Sequence, residues 1–149
     1  DYDELQPESS QQVYWCLGSQ YWAKNKHEPR YSAYYGILLD MVGAKNATFY
    51  REGVSRQAAP SIVKRIWDAG HQLGHGQYFI YKDSPDIVDD HVYVNYQAKI
   101  PMVNIIEHDP ASEFYFARYH HTHADDMDII SRETLEAVGE TVMYVIYQE

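Results

Sequence analysis

Pro60-Ser-Ile-Val-Lys-Arg-Ile-Trp-Asp-Ala-Gly-His-Gln-Leu-Gly-His-Gly-Gln-Tyr78 reads as a helix, a stop and a strand in quick succession. Pro60 suits a first helical position, because the amide hydrogen it lacks would have had no partner there. Ile62, Val63, Ile66 and Trp67 recur at helical spacing and give one apolar stripe, and Gly70 is placed to end the helix in a left-handed cap. The glycine-punctuated segment around Leu73 then predicts a brief buried strand whose exit carries His75, Gly76 and Gln77. In parallel α/β folds, such exits are where chemistry collects.

Working outward, residues 1–12 are acidic and polar and predict an extended N-terminal arm, with one domain over 13–149. Val13–Leu17 predicts a first strand and Gly18–Arg30 a polar loop. Tyr31, Tyr34, Tyr35, Leu38, Leu39 and Val42 fall at helical intervals, predicting an amphipathic helix ending at Gly43. Ala47–Tyr50 predicts a second strand. After the turn at Lys82–Asp86, with Ser84 as cap, a helix over 86–107 is predicted to break near Ile100 because of Pro101. Glu113–Arg118 predicts a fourth strand, Ser131–Val138 a helix ending at Gly139, and Thr141–Tyr147 a fifth strand buried on both faces. Strands alternating with helices imply an α/β fold with a parallel sheet and helices outside it.

The chain has 149 residues, 45% of them hydrophobic, enough for one buried core. No apolar run approaches the roughly 20 residues a membrane helix needs, so no membrane insertion is expected. Against 22 acidic residues stand 12 basic ones, a net charge of −10 that opposes binding to phosphate backbones and excludes nucleic acid as the expected partner. The single cysteine, Cys16, excludes an internal disulfide and reads as a small core hydrophobe. Fifteen tyrosines suit stacking on sugars as well as core packing.

Together with Asn46-Ala-Thr-Phe-Tyr50, the Ala69-Gly70-His71-Gln72-Leu73-Gly74 segment resembles the polysaccharide deacetylase family of NodB homology, and Ser131–Tyr147 fits the same order. That resemblance implies an irregular or incomplete (β/α) barrel lacking the family's C-terminal strands. It also implies a secreted protein whose partner is an acetylated polysaccharide or oligosaccharide. The family's metal and base positions fall on Gly18, Ser19, Gly76 and Ile80, which cannot serve, while Arg118 stands where the family has an arginine. The resemblance therefore implies glycan recognition without hydrolysis, through Tyr21, Gln77, Tyr78 and Tyr119, with no cofactor expected. Two alternatives stay open. One is an active deacetylase holding zinc or another divalent metal through His75, His121, His123 and Asp125, in a cluster that also contains His120, Asp126 and Asp128 and that, matching no specific metal-motif spacing, reads first as a solvated loop. The other is a structural or storage-type protein.

Overall fold

The computed structural model describes residues 14–148; the expected N-terminal arm and Val13 lie outside them. Five helices and four strands follow in the order α1 (Leu17–Lys24), β1 (Gly36–Asp40), β2 (Phe49–Arg51), α2 (Gly53–Ala58), α3 (Pro60–Gln72), β3 (Phe79–Asp83), α4 (Asp90–Tyr93), β4 (Met102–Ile106) and α5 (Arg132–Tyr147). β1 pairs with β4 and β2 with β3, both in parallel. The α/β class and parallel pairing agree with the sequence. Among the described residues the strands form two pairs rather than one five-stranded sheet or a closed barrel.

The helix at 60–72 forms because one face of it is needed at the centre of the core. Val63, Ile66, Trp67, Ala69 and Gly70 are its buried positions. Trp67 Nε1 donates to the carbonyls of Phe49 (3.2 Å) and Ile80 (3.0 Å), tying α3 to both strands of the β2–β3 pair. Gly70 does not cap this helix. It lies inside it, where a Cβ would sit 2.6 Å from the Phe79 ring, and the left-handed turn falls at Gly74 (φ 89°). Gly70→Ala should therefore cost about 1–3 kcal/mol by overpacking. Exposed Gly139, whose Cβ would meet nothing within 4 Å inside α5, should gain about 0.5–1 kcal/mol on the same change. Thermal melts of the two variants, shifting in opposite directions, check this.

Several predicted elements change identity. Leu17 starts a helix rather than ending a strand, since a five-residue apolar run carries too little periodicity to separate the two. The predicted helix at 31–42 is a loop followed by β1, Gly-Ile-Leu-Leu-Asp, in register with β4 from Gly36↔Met102 to Asp40↔Ile106. The run Gly-Ile-Leu-Leu-Asp is too short to show alternation and, with the tyrosines before it, met the helical template. The segment around Leu73 is a turn, and the strand comes later, at Phe79. The long helix at 86–107 is instead α4, a π-helical turn at Val94–Ala98, a left-handed Lys99 (φ 59°) and then β4. Its predicted cap, Ser84, pairs with the Tyr115 hydroxyl, and Asp89 caps α4 instead. Residues 113–118 form a loop, with Tyr115 left-handed. Gly139 ends nothing. Thr134, Ala137, Val138, Thr141 and Val145 share one buried helical face that runs straight through it.

Candidate active site

β1 and β4 end together, with Asp40 opposite Ile106, so whatever follows them converges at one edge. A cleft of about 510 Å³ opens there. Its walls are Trp15 and Cys16 from the entrance to α1, Asp40 from β1, Ile87, Val88 and Asp89 from the loop before α4, Ile106 from β4, and Phe116, His120 and His121 from the loop after β4. The lining is an apolar wall interrupted by two carboxylates and two imidazoles. Phe116 stacks on His120 (centroids 4.2 Å) and His120 on His121 (3.6 Å). That stack shapes the loop, and His121 itself turns through a left-handed backbone (φ 56°).

The two carboxylates hold their protons unusually well. Burial raises Asp40 above the ordinary carboxylate range, and the negative charge of Asp89 raises it further; the Met41 amide and His121 oppose this only in part. Burial likewise raises Asp89, against hydrogen bonds from the Asp90 amide and from Asn104. Asp89 Oδ2 accepts from Asn104 Nδ2 at 2.7 Å, and Oδ1 accepts from the Asp90 amide at 2.7 Å, so this side chain is held from two directions. Two acids raised in this way in one cleft are suited to general acid–base work, because each takes up a proton more readily than an exposed carboxylate.

Cys16, Asp89 and Asp90 offer ligand atoms within 4.8 Å of one another. Three of the four carboxylate oxygens in that trio, however, already accept protein hydrogen bonds at 2.7 Å, the third being Asp90 Oδ1 from Ser19 Oγ. The donor of the cleft best suited to zinc is instead the exposed imidazole of His121, a nitrogen ligand beside acidic groups. Among the described residues no set of three such ligands that includes an imidazole closes to 4.8 Å, so His121 could supply one ligand of a coordination sphere and not the whole of it.

The residues singled out from sequence are scattered. His75 pairs with Glu140 at 2.7 Å, on the α3–α5 side of the molecule. His123 and Asp125 are exposed and do not line the cleft; His121 does. Gly18 and Ser19 sit on α1, where Ser19 reaches Asp90 rather than a strand end. Tyr21 is exposed on α1, Gln77 is exposed in the turn before β3, and Tyr78 packs on the main core. Tyr119 donates to the buried carboxylate of Glu107, and Arg118 is exposed. Cys16, taken for a core hydrophobe, is half-buried in the cleft wall with a left-handed backbone (φ 55°). Sequence reading missed Asp40 and Asp89. An aspartate closing the apolar run Gly36–Asp40, and the pair Asp89-Asp90 before a histidine, were the signals.

The sequence model of peptidase family M28 matches residues 7–146. The chain belongs to peptidase family M28. Solved structures of similar sequence agree. A Zn-dependent exopeptidase from Parabacteroides distasonis is 51% identical with a TM-score of 0.93, over 98% of this chain and 50% of that one. Glutaminyl cyclase from Tannerella forsythia is 49% identical with a TM-score of 0.91, again over 98% and 50%. A leucine aminopeptidase precursor from Bacteroides thetaiotaomicron is 42% identical with a TM-score of 0.89, over 98% and 48%. The chain thus spans about half the length of each. Among curated proteins, none matches. M28 membership overturns the resemblance to polysaccharide deacetylases, and the acetylated glycan expected as partner falls with it. The matched segments, Ala-Thr-Phe and Ala-Gly-His-Gln-Leu-Gly, lie at the entrance to β2 and at the end of α3, local features that unrelated α/β folds can carry. No described helix is long and apolar enough to cross a membrane.

Proposed function

We propose that this M28 protein is a zinc-dependent glutaminyl cyclase acting on peptides that begin with glutamine. The observation that carries the proposal is the pair of carboxylates, Asp40 and Asp89, that share one cleft with His121 and are both raised by burial. In cyclisation, the α-amino nitrogen of the substrate attacks its own side-chain amide carbon. A new C–N bond forms, the old one breaks, and ammonia leaves with one proton more than the amide nitrogen held. That proton comes from the attacking amine. One carboxylate must take it up and a carboxylic acid must deliver one, a division of roles that two raised carboxyls in one cleft can fill. No water molecule is consumed, so apolar walls such as Trp15, Ile106 and Phe116 serve the reaction by keeping water from competing.

Zinc bound through His121 would polarise the side-chain amide carbonyl and stabilise the charge that develops on its oxygen. The cleft supports that assignment because His121 opens onto the same space as Asp40 and Asp89. Hydrolytic removal of the N-terminal residue is the competing reading, favoured by the exopeptidase and aminopeptidase relatives. A peptide panel separates the two. Zinc-loaded protein should release ammonia from N-terminal glutamine and leave N-terminal leucine peptides intact. Release of free leucine would favour hydrolysis.

A further inference from the structure

Outside the cleft, a buried acid lies against the segment that carries Asp89. Glu52 stands between β2 and α2 and is fully buried, as is His91, although an unpaired charge in such a position is costly. Its carboxylate caps α2, accepting from the amides of Val54 (2.7 Å) and Ser55 (2.8 Å) and from Ser55 Oγ (2.7 Å). Two further contacts reach across, one to the loop before α4 and one to α4 itself. The Ile87 amide donates to Oε1 at 3.1 Å, and His91 Nε2 lies 3.0 Å from Oε2. A carboxylate only accepts, so the hydrogen sits on that imidazole nitrogen. Ile87 and His91 stand on either side of Asp89. One buried group therefore grips the segment at both ends while Asp89 projects from its middle.

The same loop lies tightly on the residue after Glu52. A Cβ on Gly53 would sit 1.8 Å from Asp86 Oδ1 and 2.9 Å from the Asp86 amide nitrogen, so only glycine lets the loop approach. His91 Nδ1 is buried with no hydrogen-bond partner among the described residues. Its ring thus has a single polar anchor there, and that anchor is Glu52. The geometry points to Glu52 as a positioning residue that, through Ile87 and His91, holds Asp89 against Asp40 in the cleft. This inference rests on the catalytic role proposed above for the two aspartates.

Glu52→Gln keeps the size of the side chain and removes its charge and one acceptor. The Pro85–Asp90 loop then loosens and admits water to Asp89. Burial is the largest influence holding the Asp89 carboxyl up, so its titration moves to lower pH. The charged groups around it are Asp40 on β1, Asp90 and His91 on α4, Cys16 before α1, and His121 across the cleft. The substitution replaces none of these residues; it acts on Asp89 through the loop and through His91, which loses its carboxylate partner. In the zinc-loaded full chain, kcat should fall about ten- to a hundredfold with KM within about twofold, and the acid limb of the pH profile should shift down. Gly53→Ala pushes the same loop without touching Glu52 and should move the limb the same way. Carbon-detected NMR titration of Asp89 reads the displacement directly. Loss of melting temperature with an unmoved Asp89 titration and an unmoved acid limb in both variants would overturn the inference and leave Glu52 a purely structural residue. If wild-type protein turns over no glutamine peptide, the functional reading falls, and the NMR titration still decides this one.

Discussion

Replacing Asp89 with asparagine is expected to lower kcat for glutamine cyclisation by about two to four orders of magnitude, the usual range for a lost acid–base group. Asparagine keeps one acceptor, for the Asp90 amide, and turns an NH2 toward Asn104, which accepts it only by rotating its own amide to present the unpartnered Oδ1, so a thermal melt beside the rate separates lost proton transfer from a loosened loop. The sign of the pH effect follows from the geometry. The charge on Asp89 raises Asp40, so removing it lets Asp40 titrate at lower pH. A pH–rate profile of the residual activity should show its acid limb displaced downward. An asparagine variant within threefold of wild type would remove Asp89 from the chemistry.

His121→Ala should carry the second large effect, on metal content. Residues that merely support a metal ligand are worth about ten- to a hundredfold in affinity, so removal of a ligand should weaken zinc binding by more than about a hundredfold. Elemental analysis after dialysis, alongside His123→Ala, checks it. His123 is exposed and lies off the cleft, so that variant should keep its zinc and its activity. Zinc retained in full by the His121 variant would relocate the metal.

The buried Glu52–His91 pair also bears on stability. Burial alone would raise the Glu52 carboxyl, but hydrogen bonds from His91, Ser55 and Val54 outweigh it and hold it down at about 2, from an ordinary 4.5. A depressed carboxylate stabilises the fold above its unfolded value and loses that contribution as pH falls toward the folded one. Roughly 3 kcal/mol should disappear between about pH 4.5 and 2. Asp40, Asp89 and Glu107 are raised and act in the opposite sense, favouring the fold as they protonate, so the net loss should steepen only at the acid end. Urea titrations across that range, with Glu52→Gln losing most of the slope, check the assignment.

What could be read from the sequence depended on how local each feature was. The α3 stripe was legible because Pro60, Val63, Ile66 and Trp67 state the helix within their own neighbourhood. β1 was not, because its pairing partner lies more than sixty residues away and its continuous apolar run also satisfies a helical template. That misreading hid the site. With 31–42 taken as a helix, Asp40 lay on a helix flank, whereas as the last residue of a strand it stands at the edge where β1 and β4 end. Asp89 was hidden in the same way, inside a helix predicted over 86–107 that in fact begins just after it. Gly139 and Gly70 misled in a simpler manner. Each was taken for a stop, yet one is tolerated on the exposed side of α5 and the other is required by Phe79. Glu52, charged and fully buried, carried no signal in sequence, because its partners at 87 and 91 are brought to it only by the β2–β3 pairing.

The central claim is that Asp40 and Asp89 pass protons within a cyclisation that consumes no water. Mass spectrometry of a glutamine-initiated peptide incubated with zinc-loaded protein in heavy-oxygen water tests it most directly. The account predicts a peptide of unchanged residue count that has lost one ammonia and gained no label. A shortened peptide together with free glutamine, or heavy oxygen in any product, would contradict it and make this M28 protein a hydrolase.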